Sequence, residues 1–173
     1  MGVVGIIFLI ITVIFALTWV VNLGLPLVGM IIPGHLDDPK LEKEYESAIH
    51  RLINEQRVSH GVAPLIWNEQ VAEMARLHSK DMLENRFFDH TNLQGQSVWD
   101  RYTAARITCA TGGENIYLEP SPFPQSSSSA HSIVRGWMDS SGHRSNILNN
   151  AFTSHGIGVA VDVGKVYATQ NFC

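Results

Sequence analysis

Trp137-Met138-Asp139-Ser140-Ser141-Gly142-His143-Arg144-Ser145-Asn146-Ile147-Leu148 joins a helix-forming segment to a cluster of turn-forming residues. Residues 130–138, which lead into it, are read as a helix, with Trp137 as the large apolar side chain that anchors it. Ser140, Ser141 and Gly142 favour a turn over continued helix, so the helix is expected to stop there. His143 follows that stop directly.

Working outward toward the N-terminus, two more helices are legible. Asp38-Pro39 opens a segment in which Leu41, Tyr45, Ala48, Ile49, Leu52 and Ile53 share one face, and Gly61 ends it. Asn68 precedes a second run that places Val71, Ala75, His78 and Met82 on one face and leaves Glu69, Glu73, Lys80 and Glu84 for solvent. The residues between them, from Gly61 to Trp67, read as a turn and a short apolar anchor. Residues 97–105 are expected to form a helical turn or two. Residues 120–129, with three prolines and four consecutive serines, read as a loop.

Toward the C-terminus, Ile157, Val159 and Val161 alternate with Gly158, Ala160 and Asp162, and residues 166–172 form a second strand candidate. Val163-Gly164 joins the two as a hairpin, and Gly156 and Gly158 permit a close backbone approach within the strand. Helices combined with antiparallel strands, without βαβ alternation or a glycine-rich phosphate loop, indicate an α+β domain.

The first 36 residues obey a different solvent. No charged side chain precedes Asp37, and the 30 uncharged residues 3–32 would reach about 45 Å as a helix against a hydrocarbon core of about 30 Å. Asn22, Gly24 and Pro26 crowd the end of the apolar run, which places a transmembrane helix at residues 3–21. Residues 1–36 are thus expected to be a membrane anchor with a short linker, and residues 37–173 a single soluble domain. A cleaved signal peptide is the rival, but the basic leader and small-x-small site it needs are not evident. Lys40, Lys43 and Arg51 lie on the C-terminal side of the span, which taken alone points the domain inward. Cysteine usage leans the other way. Cys109 and Cys173 are an even count compatible with one disulfide in an oxidising compartment, or with two unpaired thiols. The expectation is a single-pass membrane protein with its C-terminal domain extracellular. A formal charge of −4, with no run of Lys or Arg, argues against a nucleic-acid partner.

Eight histidines supply most of the candidate chemistry. His35, His50, His60 and His131 sit in polar or linker settings and read as solvated; His78 reads as a core histidine with a satisfied ring nitrogen, and His155 has no assigned role. His90 follows Arg86-Phe87-Phe88-Asp89, and Glu114 lies in Gly112-Gly113-Glu114-Asn115-Ile116. With His143, these are the ligand types that hold zinc with an open position. Gaps of 24 and 29 residues separate the three, so no local motif forces them together.

The order of the motifs carries more weight than any one of them. Asn54-Glu55-Gln56-Arg57, Gly61 through Trp67-Asn68, Ala75 with His78-Ser79-Lys80-Asp81-Met82, Phe87-Phe88-Asp89-His90, Ser97 with Asp100-Arg101, Gly113-Glu114-Asn115-Ile116, Trp137-Met138 through Gly142-His143-Arg144, Ile147-Leu148, Gly156-Ile157-Gly158-Val159 and Tyr167-Ala168-Thr169-Gln170-Asn171-Phe172 follow one another in the chain. In this order they resemble the CAP superfamily, or SCP domain, and its prokaryotic branch in particular. The resemblance implies an αβα sandwich, with a small antiparallel sheet between helical layers and a cleft lined by two histidines and two acids. The cleft histidines fall on His90 and His143, as candidate ligands of a divalent metal such as zinc, and the first acid falls on Glu114. The second acid does not carry over: Ser140 stands in its place, with Asp139 adjacent. The function this implies is a membrane-anchored extracellular binding module for a lipid, glycan or peptide. The alternative is a zinc-dependent hydrolase in which Glu114 is the general base and Ser140 or Asp139 orients water or substrate. A third reading makes the polar cluster a hydrogen-bonded network that fixes the fold.

Overall fold

The computed structural model describes residues 38–121 and 126–173. The transmembrane helix expected at residues 3–21 lies outside them; among the described residues no helix is long and apolar enough to cross a membrane.

Helix α1 (Pro39–Ser59) begins where Asp38 caps it, its Oδ1 accepting from the amides of Lys40 and Leu41 at 3.1 Å each. Strand β1 (Ile66–Trp67) and helix α2 (Glu69–Asn85) follow, and Asn68 caps α2 in the same way. Ser97 and Asp100 form a reciprocal capping box at the start of α3 (Val98–Ala104). Strand β2 (Gly113–Ser121) leads to α4 (Ser126–Asp139) and α5 (Ser141–Ile147), and the hairpin of β3 (Ser154–Asp162) and β4 (Gly164–Phe172) closes the domain.

The four strands lie in the order β1-β3-β4-β2. β4 pairs antiparallel with both neighbours, β2 running in register from Gly113 opposite Phe172 to Ser121 opposite Gly164; the two-residue β1 is parallel to β3. On one face of the sheet, Ile157, Val159, Val161 and Ala168 pack under Tyr45, Ile49 and Ile53 of α1 and Ile133 and Trp137 of α4. On the other, Ala160, Tyr167 and Ile116 meet Met82 and Leu83 of α2. The mixed helix and sheet architecture is the α+β fold expected. Val71, Met74 and Tyr102 extend the second face toward the Cys109–Cys173 disulfide, which settles the open question about the thiols.

Two local expectations need correction. Residues 113–121 form the edge strand β2, and Ser126 to Ser129 open α4, so the loop read at residues 120–129 shrinks from both ends. The helix read at residues 130–138 does end at Asp139, as expected, but a second helix, α5, starts at Ser141, so His143 sits inside a helix. Arg57 supplies the tertiary contact that holds α5. Although 1 % exposed, its guanidinium donates to the carbonyls of Ala63 (2.6 Å), Ile147 (2.6 Å), Asn149 (3.0 Å) and Phe152 (3.3 Å). Buried charge is tolerable there because each donor has a partner.

Candidate functional site

Glu114 is the second residue of β2, opposite Asn171 of β4, and its side chain is 2 % exposed. Burial of a carboxylate needs compensating donors. Arg101 of α3 supplies one, with Nη2 donating to Glu114 Oε2 at 2.6 Å. His90, in the segment between α2 and α3, supplies the other, with Nδ1 2.8 Å from Oε1.

The backbone around His90 is held from two sides. Arg101 Nη1 donates to the His90 carbonyl at 2.9 Å, and His78 Nε2, on α2, donates to the Asp89 carbonyl at 3.0 Å. His90 itself is half exposed. Its hydrogen bond to Glu114 raises the imidazole pKa above the ordinary histidine range, against an opposing effect of desolvation.

His143 projects from the first turn of α5 and is partly buried. Desolvation lowers its pKa, and the charge of His90 adds to that lowering, so the two rings feel one another. The His143 carbonyl accepts from Asn115 Nδ2 at 3.2 Å, and Asn146 Nδ2 donates to the Glu114 carbonyl at 3.3 Å and to Asn115 Oδ1 at 2.9 Å. These amides tie the helix bearing His143 to the strand bearing Glu114.

The tertiary structure therefore gathers His90 and Glu114 in direct contact, and His143 is near enough to His90 for the two charges to interact. Asp139 ends α4, exposed, and Ser140 is the N-cap residue of α5 without a side-chain capping bond. Neither side chain is hydrogen-bonded to His90, Glu114 or Arg101. Among the described residues no three His, Cys, Asp or Glu side chains group as a metal cluster. His90 Nδ1 is committed to Glu114, so Nε2 is the ring nitrogen that this hydrogen bond leaves open. A histidine oriented by a carboxylate in this way is the usual outer arrangement of a metal-binding imidazole.

Arg101 is the site residue that sequence reasoning quoted without giving it a role. A second omission is the pair His50 and His155, with His50 Nδ1 2.7 Å from His155 Nε2. Gln170 Nε2, which can only donate, lies 2.8 Å from His155 Nδ1, so the His155 proton sits on Nε2 and is given to His50. Gln170 Oε1 in turn accepts from Asn115 at 3.3 Å. The reading of His50 as a solvated surface residue fails because this chain of side chains crosses the sheet to reach it. Polar Asn115, Gln170 and His155 within otherwise apolar strands were the available signal.

A family model described as the cysteine-rich secretory protein family matches residues 50–172. Over 146 residues, 83 % of this chain, the sequence is 37 % identical to the uncharacterized membrane protein YlbC of Bacillus subtilis, of which it covers 39 %. It is 33 % identical over 132 residues to the uncharacterized protein YkwD of the same organism, covering 76 % of this chain and 48 % of that protein. The chain thus spans less than half the length of these curated relatives. A crystal structure of an extracellular protein containing a SCP domain from Bacillus anthracis superposes with a TM-score of 0.62 at 36 % identity, over 76 % of this chain and 40 % of that one. An outer surface protein of Borrelia burgdorferi shares the fold, with a TM-score of 0.68 at 18 % identity over 80 % of this chain and 96 % of that one. With the ordered motifs, the sheet and the His90–Glu114 pair in place, the chain belongs to the cysteine-rich secretory protein (CAP) family.

Proposed function

We propose that this protein is an extracellular CAP-domain binding module, held to the membrane by its apolar N-terminal segment, whose cleft captures a divalent cation or a ligand through His90 and His143. The observation that carries this reading is that both Glu114 oxygens are engaged, one by His90 and the other by Arg101. A carboxylate so held orients an imidazole, leaving His90 Nε2 for the ligand; it is poorly placed to take a proton from water as a general base. Binding is therefore favoured over the zinc-dependent hydrolase.

A metal such as zinc would find two imidazoles and Glu114 behind them. This donor set fits a cation that keeps water or a ligand group in its remaining positions, and the ion would supply positive charge to draw a lipid headgroup, glycan or peptide carbonyl into the cleft. The extracellular location is supported by the disulfide and by the likeness to the extracellular Bacillus anthracis protein, and the anchor by the uncharged run of residues 3–32 and by the likeness to the membrane protein YlbC.

Zinc titration calorimetry at pH 7.5 and 5.5 tests the cation. Both rings must be neutral to bind, and His90 has its pKa raised, so affinity is expected to fall by about tenfold or more at the lower pH and to vanish in His90→Ala with His143→Ala. Equal affinity at both pH values, or binding that survives the double substitution, overturns it.

A further inference from the structure

A chain of side-chain hydrogen bonds runs from α5 through the sheet to α1, and every link in it points the same way. Asn146 Nδ2 donates to Asn115 Oδ1 at 2.9 Å, Asn115 Nδ2 to Gln170 Oε1 at 3.3 Å, Gln170 Nε2 to His155 Nδ1 at 2.8 Å, and His155 Nε2 to His50 Nδ1 at 2.7 Å. Asn115, Gln170 and His155 are wholly buried, whereas His50 on α1 is partly exposed.

The direction is set at the α5 end, by backbone. Asn115 Nδ2 also donates to the His143 carbonyl at 3.2 Å, and Asn146 Nδ2 to the Glu114 carbonyl at 3.3 Å. A carbonyl oxygen can only accept, so neither amide can turn over without setting oxygen against oxygen. Gln170 must then present its oxygen to Asn115 and its NH2 to His155, and His155 must carry its proton on Nε2. A mismatch anywhere along the buried part would leave a desolvated polar atom unpaired, so one direction is strongly favoured.

His50 is where the chain meets solvent. Its Nδ1 accepts, so the neutral ring keeps its proton on Nε2, 3.5 Å from Asn54 Nδ2, a donor already given to the Leu65 carbonyl at 3.0 Å. A second proton has only Nδ1 to occupy, where it meets the His155 N–H. His155 can yield by moving its own proton to Nδ1, but Gln170 must then turn its amide over, and that turn cannot pass Asn115. Among the described residues no carboxylate is bonded to either ring. On α1, Arg57 is the charged group that bears on His155, and Glu46 is held by Arg76. Glu69 of α2 is taken by Arg76 and by Trp67, the β1 residue edge-on to both rings, and β4 faces His155 with neutral Gln170 and Phe172. Desolvation therefore keeps both rings neutral until the medium is acidic.

We infer that Gln170, His155 and His50 are positioning residues for α5: they form a one-way relay that holds the Asn115 amide against the His143 carbonyl, and a proton taken up at His50 breaks it. The reversal stops at the longest link, between Gln170 and Asn115, so the disturbance reaches the tie between α5 and β2. The inference rests on the His90–His143 reading only for what α5 carries; the relay itself needs no ion or ligand there.

The full-length chain, with its N-terminal segment in lipid nanodiscs and its side chains labelled with nitrogen-15, is titrated by nuclear magnetic resonance from about pH 8 to about pH 4.5 without zinc. At the upper limit His155 and His50 are expected to carry their protons on Nε2. On acidification the Asn115 side-chain amide is expected to shift with the midpoint of His50. His50→Gln, whose oxygen can accept from His155 but which does not titrate, should remove that component of the shift and leave any that follows His90 or His143. Gln170→Glu offers an acceptor to both Asn115 and His155. In that variant His155 should move its proton to Nδ1, His50 should titrate about one pH unit or more higher, and Asn115 should no longer follow it. If Gln170→Glu does not fold, the native protein and His50→Gln decide the matter. A native His155 proton on Nδ1, an Asn115 amide that ignores the His50 midpoint, or a response at that midpoint that survives His50→Gln overturns the relay. Because no metal is present in the titration, its outcome is independent of whether His90 and His143 bind zinc.

Discussion

Gly158 of β3 lies so close under α2 that a β-carbon built on it would fall 2.0 Å from the Arg76 amide nitrogen. Gly156 meets the Ala72 amide at the same distance. The expected close approach is therefore real, but it is made across the face of the sheet by a helix backbone, not within the strand. No rotamer relieves a clash with backbone, so Gly158→Ala should destabilise by about 3 kcal/mol or more, measured by urea unfolding. Gly142, where a β-carbon meets nothing within 4 Å, is the control, and Gly142→Ala should be neutral or stabilising by about 1 kcal/mol. Equal effects at the two sites would refute the packing account.

Trp137 is wholly buried in the core between α4 and the sheet, and its indole N–H donates to the Ile116 carbonyl at 3.1 Å. Trp137→Ala removes a large apolar side chain and leaves that carbonyl unsatisfied. A loss of about 3–5 kcal/mol is expected in equilibrium unfolding, and less than about 1 kcal/mol would contradict the burial.

Glu114→Gln should bring the His90 pKa down toward the ordinary imidazole value, because the hydrogen bond to the carboxylate is the largest cause of its rise. The sign for stability follows. A histidine whose folded pKa is raised stabilises the fold below its unfolded value and loses that contribution as pH rises through the folded one. Nuclear magnetic resonance titration of His90 in the two proteins checks this; identical midpoints would mean that Glu114 does not govern the ring.

His155 behaves oppositely. Burial, with His50 and Arg57 nearby, depresses its pKa to about 3, so the folded state keeps it neutral while the unfolded chain takes up a proton below about pH 6.5. Stability contributed by the neutral ring is complete above that pH and is lost as pH falls toward 3, by roughly 1 kcal/mol per pH unit. Urea unfolding of the native protein and of His155→Gln at pH 7.5, 5.5 and 4.5 should show a shallower acid slope in the variant. Parallel slopes would remove His155 from the cause.

Much of the framework was legible because its determinants are local. Asp38, Asn68 and Ser97 cap helices within three residues of themselves, and the alternation from Ile157 to Val161 describes a strand on its own. Strand β2 was missed because Gly113-Glu114-Asn115 lacks the apolar alternation of a half-buried strand; its register with β4, not its composition, makes it extended. Helix α5 was missed because Arg57, 90 residues away from Ile147, holds it from outside.

Of the candidate site, the residue types and the motif order were readable, and the partners were not. Sequence alone determined the capped helices, the hairpin and the family, and it named His90, Glu114 and His143 as candidates, since these rest on chemistry carried by short stretches. Tertiary structure decided that Arg101 and His90 share the two oxygens of Glu114 and that His50 meets His155 over 105 residues. The physical reason is one of range. Propensity and periodicity act over a few residues, whereas a buried hydrogen bond forms only after sheet register and helix packing have removed water from both partners.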